Sequence, residues 1–444
     1  MIKDLTEGSP KKVLWQFSIP LFVSVIFQQM YNIADSVIAG KFAGEDALAA
    51  VGASYPITMI FMAIAVGSNI GCSVVISSLF GAKKYKDMKT AVSTTLLATS
   101  VVSVVLMIAG LAGTKGLMMM IHTPENIFAD GSLYLRIYIG GFLFLYLYNV
   151  ATGIFSALGD SKTPLYFLIA SSIGNVILDY LFVAIFHWGV AGVAWATFIA
   201  QGAACLLALL TMWKRMKRIA SEGKSQIFSW KMFSKIAAIA VPSILQQSFI
   251  SIGNIFIQSL VNSYGSSVIA GYSAAIKLNT FAITSFTTLG NGISNFTAQN
   301  LGAGKEDRVK KGFMAGTQLA LIVAIPFVIA YFFFGKSMVN LFMTRESTVA
   351  LETGIDFLKI VSPFYLVIAV KLMADGVLRG AEAMKQFMTA TFADLVLRVI
   401  LAYALAKSFG TIGIWSSWPV GWIVATILSM VFYLNNSWRK KNKS

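Results

Sequence analysis

The sequence predicts an all-α integral membrane protein of about twelve transmembrane helices, arranged as two six-helix lobes related by a parallel internal repeat. Three observations support this prediction. Of the 444 residues, 57% are hydrophobic and only 12% are charged, whereas about a quarter of the residues of a soluble protein are charged. Apolar segments recur along the whole chain, and glycines repeat at a constant separation of 221 residues.

Each predicted helix is an apolar segment long enough to span a bilayer, which requires about 20 residues. These spans, numbered 1 to 12, are residues 13–40, 47–80, 88–113, 126–158, 163–186, 189–213, 233–262, 268–302, 309–334, 347–380, 385–407 and 411–435. Pro20 and Pro242 lie early in spans 1 and 7, and proline kinks membrane helices. We therefore predict a hinge at Pro20.

The internal repeat relates the two halves of the chain. The same offset of 221 residues pairs Gly81 with Gly302, Gly159 with Gly380 and Gly189 with Gly410, and such constancy indicates duplication. Each copy holds six spans, an even number, so both copies enter the membrane in the same direction. We predict an N-lobe at 1–213, a cytoplasmic loop at 214–232 and a C-lobe at 233–444, a plan typical of alternating-access carriers.

The net charge of +16 is explained by topology and contact with the lipid bilayer, without nucleic acid as a partner. With an even number of spans, both termini and the central loop lie on one side, which carries 25 of the 35 Lys and Arg residues against 5 on the other. Basic residues concentrate on the cytoplasmic side of membrane proteins. The sequence therefore predicts a multi-pass protein of the cytoplasmic membrane with both termini in the cytoplasm.

Enzymatic chemistry has no support in the sequence. Cys72 and Cys205 lie inside predicted spans and are expected to pack as small apolar residues without forming a disulfide. His122 and His187 are far apart and belong to no cluster with metal-ligand spacing. No nucleophile–base pair and no nucleotide-binding loop occurs, so we predict a protein that is not an enzyme and needs no cofactor.

A polar stretch inside span 1 is the first candidate site. Gln28, Asn32 and Asp35 are spaced at i, i+4 and i+7, which places all three on one face of a helix. A carboxylate at bilayer depth costs about 2.5–3.5 kcal/mol on insertion scales and normally faces the protein interior. The stripe predicts either a functional site or polar packing between helices.

The N-terminal half carries a further set of polar residues within its spans. They are Tyr134, Asn149 and Thr152 in span 4, Asn175 and Asp179 in span 5, and Thr197 in span 6. Asn175 and Asp179 are four residues apart and share a helix face. The 221-residue offset places Val396 and Ile400 at their counterparts, which predicts that the second copy lacks this pair.

These motifs resemble the multidrug and toxic compound extrusion family of secondary transporters over essentially the whole chain. The resemblance rests on Ile19-Pro20 followed by Tyr-Asn-Ile-Ala-Asp35, the Gly-Ala-Lys that ends span 2, Ala-Leu-Gly-Asp160-Ser-Lys-Thr-Pro, and Asn175-Val-Ile-Leu-Asp179. It is closer to the DinF-type and archaeal branch than to the NorM-type, because span 7 carries Gln246 and Gln247 and no acid.

The resemblance implies an N-lobe site that couples an ion to export. Asp35, Asn175, Asp179 and Thr197 match the family's ion site, and Tyr134 and Asn149 match its pocket; we add Gln28, Asn32 and Thr152 as pocket-lining residues. Two carboxylates in one low-dielectric pocket resist ionising together and are expected to take up a proton as a unit. The same oxygens suit Na+, since hard cations prefer oxygen ligands, so H+ and Na+ both remain open.

The predicted function is therefore export of amphipathic, often cationic organic compounds by a monomeric cation antiporter. Proton entry is expected to neutralise the pair, alter span 1 around Pro20 and release the substrate outward. Two alternatives use the same two-lobe plan: a flippase for a lipid-linked precursor, and an exporter of an endogenous metabolite. Few basic residues lie at mid-span, whereas such flippases tend to have a strongly basic cavity or extra helices.

Overall fold

A computed structural model of the chain describes residues 2–38, 41–42, 45–342 and 347–439, and these are helical with no β-strand. The helices are α1 (Pro10–Ile38), α2 (Glu45–Gly81), α3 (Tyr85–Met120), α4 (Glu125–Gly140), α5 (Phe142–Ala157), α6 (Lys162–Asp179), α7 (Gly189–Arg218), α8 (Trp230–Asn262), α9 (Ser266–Gly302), α10 (Glu306–Phe333), α11 (Gly335–Asn340), α12 (Thr348–Val361), α13 (Tyr365–Gly380) and α14 (Met384–Leu434). A π-helical segment, Tyr180–Ile185, continues α6, and a 3₁₀ turn, Ser362–Phe364, joins α12 to α13.

The predicted spans are found in the structure. Within the described residues, nine helices or helix runs are long and apolar enough to cross a membrane, and the α4–α5 pair, bent by 48°, supplies a tenth. Helix α14 has 51 residues and is broken at Gly410, where φ is 59° and ψ is −138°, so it supplies two spans. The more polar α9, with 37 residues, completes the twelve.

Two breaks within single spans occur at equivalent positions of the repeat. Span 4 bends at Gly141, between α4 and α5, and span 10 breaks at Ser362, between α12 and α13. These two residues are 221 positions apart. The repeat therefore includes the local shape of the helices as well as their number.

The chain forms two compact units, which differ from the predicted lobes in the first helix of each copy. One unit comprises Met1–Asp4 and Val23–Ile244, and the other Leu5–Phe22 and Leu245–Ser444. Each boundary inside a helix therefore falls two residues after a proline, Pro20 in α1 and Pro242 in α8. The lobe limits at 213 and 233 stay a prediction.

Each unit is built around its own central helix. In the first unit α2 packs against α3, α4 and α5, and in the second α9 packs against α10, α12 and α13. Glycines permit the close approach: a Cβ at Gly376 of α13 would collide with the carbonyl oxygen of Gly290 in α9, and one at Gly380 with that of Ser294. Small residues serve this purpose in membrane helices generally.

Candidate ion and substrate site

A pair of acids, Asp35 on α1 and Asp179 at the end of α6, lies in the first unit. Their side chains are within hydrogen-bonding reach of each other, and Asp179 is fully buried. Three of their four carboxylate oxygens, Oδ1 of Asp35 and both of Asp179, are buried without a hydrogen-bond donor. Two ionised carboxylates cannot donate to each other, whereas a shared proton or a bound cation would satisfy these oxygens.

The backbone around Asp179 departs from regular α-helix at this point. The α-helical part of α6 ends at Asp179, and the π-helical segment begins at Tyr180. A π-bulge leaves a wider helical turn and occurs frequently at functional sites. It gives the acid a backbone environment that an uninterrupted helix would not provide.

Amide and hydroxyl groups surround the acid pair. The Nδ2 of Asn175 lies 3.5 Å from Oγ1 of Thr197, a long hydrogen bond, while the Oδ1 of Asn175 is buried without a partner. The side chain of Tyr31 also reaches Thr197 by a hydrogen bond. Tyr134 lies close enough to both acids for electrostatic interaction. The structure thus brings together all four residues that the sequence predicted for ion coupling.

Two cavities adjoin this cluster. The polar cavity lies between α1, α6 and α7, and the aromatic cavity lies between α4, α5 and α7. Thr197 and Gln201 line both. The polar cavity is lined by Gln28, Tyr31, Leu168, Ser171, Ser172, Asn175, Thr197, Ala200 and Gln201. The aromatic cavity is lined by Tyr134, Ile137, Tyr138, Gly141, Leu145, Ala194, Thr197, Phe198 and Gln201.

Three predicted pocket residues make other contacts. Asn69 of α2 donates through Nδ2 to the carbonyl oxygen of Asn149 at 2.7 Å and to Oγ1 of Thr152 at 3.2 Å, so these two residues join α5 to α2. Asn32 is exposed, and its Nδ2 donates to Oε1 of Gln29 at 3.2 Å. None of the three lines either cavity.

Tyr31 and Gln201 line the candidate site but were not predicted from the sequence. A signal was present for both, because Tyr31 lies four residues before Asp35 and Gln201 four residues after Thr197. Positions four apart share a helix face. Each could have been found by extending the polar faces by one turn.

The buried acids of the second unit are already paired with bases. Asp375 lies 2.8 Å from Nζ of Lys371 and accepts a hydrogen bond from Ser429 at 2.6 Å. Asp394 pairs with NH2 of Arg398, four residues further along the same helix, at 2.8 Å. Among the described residues, Asp375 and Asp394 are the buried acids of this unit, so each carboxylate there has a positive partner.

The counterparts predicted for Asn175 and Asp179 face outward. Val396 is 55% exposed and Ile400 is 59% exposed, whereas Asp394 and Arg398 are buried on the same helix. The second copy therefore lacks the N-lobe pair, as predicted, and places an internally neutralised ion pair in the interior. No group of three or more His, Cys, Asp or Glu side chains suited to a metal ion occurs in the described part of the chain.

A twelve-helix membrane fold of two homologous halves, with a pair of intramembrane acids beside two cavities, defines a polytopic membrane transporter. The MatE family model matches two segments, residues 20–181 and 242–404, one in each half. The chain belongs to this family, the multidrug and toxic compound extrusion family that its motifs resemble. The two separate matches confirm the internal repeat.

Known relatives agree with this assignment. The chain is 28% identical to the probable multidrug resistance protein YpnP of Bacillus subtilis (strain 168), with 98% of this chain and 97% of the relative covered. It is 25% identical to a FAD transporter of Shewanella oneidensis, covering 75% of this chain and 74% of the relative. A solved structure of a MOP superfamily transporter from Pyrococcus furiosus shares the fold, with a TM-score of 0.92, 22% identity and coverage of 99% and 98%.

Proposed function

We propose that the protein is a secondary active exporter of amphipathic, often cationic organic compounds, driven by H+ or Na+ bound at Asp35 and Asp179. The observation that carries this proposal is the acid pair, three of whose four oxygens are buried and lack a donor, lying beside two cavities in the same unit. An acid pair that binds a positive charge suits antiport, because the coupling ion and a cationic substrate can replace each other at the same carboxylates.

The exchange proceeds by competition for the same negative charge. With the pair ionised, the cluster attracts an organic cation, and the rings of Tyr134, Tyr138 and Phe198 in the aromatic cavity supply faces that favour cations. Binding of H+ or Na+ at Asp35 and Asp179 removes that attraction. The substrate is then released outward as α1 changes its packing beyond Pro20.

Coupling through the second unit is disfavoured by its paired acids. A cation that displaced Lys371 from Asp375 or Arg398 from Asp394 would leave a buried base without a counter-charge, which is strongly unfavourable. The first unit has no such obstacle at Asp179. We therefore propose that the coupling ion binds in the first unit. We also propose that the protein is a monomer in the cytoplasmic membrane, with both termini in the cytoplasm.

Efflux from proteoliposomes tests the proposal. Purified protein is reconstituted with a fluorescent organic cation, and a pH gradient and a Na+ gradient are imposed separately. We expect at least one gradient to accelerate efflux over protein-free liposomes, because the acid pair accepts either ion. Efflux that responds to neither gradient would overturn the antiporter proposal.

A further inference from the structure

The backbone of the segment that precedes α1 is hydrogen-bonded to the junction of α9 and α10. Every carbonyl oxygen from Leu5 to Gly8 accepts a hydrogen bond from Lys305, which precedes α10, or from Arg308 in the first turn of α10. Arg308 provides most of them: its NH1 donates to the carbonyl oxygen of Gly8 at 2.6 Å, and its NH2 to those of Leu5 and Glu7 at 3.1 and 3.2 Å. The Nζ of Lys305 donates to that of Thr6 at 2.9 Å.

Two side chains at the end of α9, Gln299 and Asn300, add further hydrogen bonds to this segment, and we call the whole set of hydrogen bonds to residues 5–8 the clamp. The N–H of Leu5 donates to Oε1 of Gln299 at 2.9 Å, and the Nδ2 of Asn300 donates to the carbonyl oxygen of Leu5 at 3.3 Å. Asn300 in turn accepts from Nε of Arg308 at 2.8 Å, which orients the guanidinium group. Leu5 is fully buried and Thr6 is 4% exposed. Residues 5–8 are therefore held as an ordered part of the second unit.

The first half of α1 continues this attachment. The indole N–H of Trp15 donates to the carbonyl oxygen of Ala315 in α10 at 2.8 Å, and Leu14 and Phe17 are buried. The boundary between the two compact units then falls between Phe22 and Val23, just after Pro20. One helix thus has an anchored first half and a second half that carries Asp35.

The second copy of the repeat also has hydrogen-bonded backbone just before its first helix. Gln226, four residues before the start of α8, is bound through both backbone groups: its N–H donates to Oγ1 of Thr90 at 3.0 Å, and its carbonyl oxygen accepts from Ser93 at 2.9 Å. Ser229 N–H donates to Oγ1 of Thr94 at 3.0 Å. Backbone hydrogen bonds, made by different side chains in each copy, thus hold the start of α1 and of α8.

We propose that Arg308 is a positioning residue for export, acting by holding residues 5–8 and with them the first half of α1. A change of charge at Asp35 then moves α1 beyond Pro20, because the start of the helix is fixed. Without these hydrogen bonds, the first half of α1 moves as well, and the second half of the helix is displaced less. The inference rests on the proposed antiport function.

The test compares Arg308→Gln and Arg308→Lys with a control, Lys311→Gln, which removes an exposed charge from the same helix. Hydrogen exchange of the backbone amides in residues 2–14 is measured on the full-length protein. Hydrogen bonds to a charged group contribute about 1.5–3 kcal/mol each, so Arg308→Gln is expected to raise exchange by at least about tenfold. Arg308→Lys keeps the charge but loses the planar guanidinium group, so its exchange rate is expected to lie between those of the parent protein and Arg308→Gln. Lys311→Gln is expected to exchange at the parental rate.

Transport supplies the second readout. We expect Arg308→Gln to lower the maximal rate of gradient-driven efflux with unchanged affinity for the organic cation, and Arg308→Lys to restore part of that rate. Unchanged exchange contradicts the clamp, while raised exchange with an unchanged maximal rate, or a loss confined to affinity, contradicts the positioning role. If Arg308→Gln does not fold, Lys305→Gln is measured in the same way. Failure of the parent protein to transport would contradict the antiport function and leave the exchange result intact.

Discussion

Asp35→Asn is expected to abolish efflux driven by an imposed ion gradient while the protein remains folded and inserted. The amide matches the carboxylate in shape but cannot take up a proton or balance a cation, so Asp179 is left without the partner with which it binds the ion. Asp179→Asn is expected to have the same effect. The measurement is efflux of a fluorescent organic cation from proteoliposomes under the gradient to which the parent protein responds.

The control for both variants is Asp130→Asn, which makes the same chemical change on an exposed side chain at the start of α4. It is expected to transport at the parental rate. Full gradient-driven efflux by Asp35→Asn would remove this residue from the coupling mechanism. Full efflux by Asp179→Asn alone would leave Asp35 as the sole coupling acid and contradict a paired site.

Arg398→Met is expected to destabilise the protein strongly. Arg398 is 7% exposed, pairs with Asp394, and lies over the ring of Trp418 with Cζ 4.5 Å from its centroid. Its removal leaves the carboxylate of Asp394 buried without a counter-charge, which typically costs about 3–5 kcal/mol. The measurement is the free energy of unfolding in detergent by a denaturant titration.

The double variant Asp394→Leu/Arg398→Met separates the charge from the packing. Replacing a whole buried ion pair by apolar residues is often close to neutral, so the double variant is expected to recover most of the lost stability. As a control, Glu306→Gln breaks the exposed pair with Arg439, whose side chains are 42–44% exposed, and is expected to cost less than about 1 kcal/mol. A double variant as unstable as Arg398→Met would contradict the account.

Local spacing in the sequence predicted the spans and the polar helix faces, whereas the pairing of Asp35 with Asp179 was implied by the resemblance to the family. Apolar length fixes a membrane helix, and positions four apart fix a face, so Asn175 and Asp179 were found together. Which side of α14 faces the protein interior could not be predicted in the same way. The repeat offset correctly excludes Val396 and Ile400 as a second ion site, whereas only packing shows that Asp394 and Arg398 occupy the interior.

Other features required tertiary contacts. Asn149 and Thr152 share a polar face, yet they bind Asn69 on α2, and one sequence does not reveal which neighbouring helix meets that face. The change to π-helix after Asp179 is likewise seen only in the structure, whereas the break at Ser362 precedes Pro363, which disfavours α-helix at the residue before it. Arg308 appears as one more cytoplasmic base in a charge count, while in the structure it is bound to three backbone carbonyls.

The central claim is that an organic cation and the coupling ion compete for the Asp35–Asp179 pair. It is tested most directly by adding an organic cation to purified protein in weakly buffered detergent and recording the release of protons with a pH indicator and of Na+ with an ion-selective electrode. The account predicts that the parent protein releases one of these ions on binding, and that Asp35→Asn and Asp179→Asn release neither. Binding of the organic cation by the parent protein without release of either ion would contradict it.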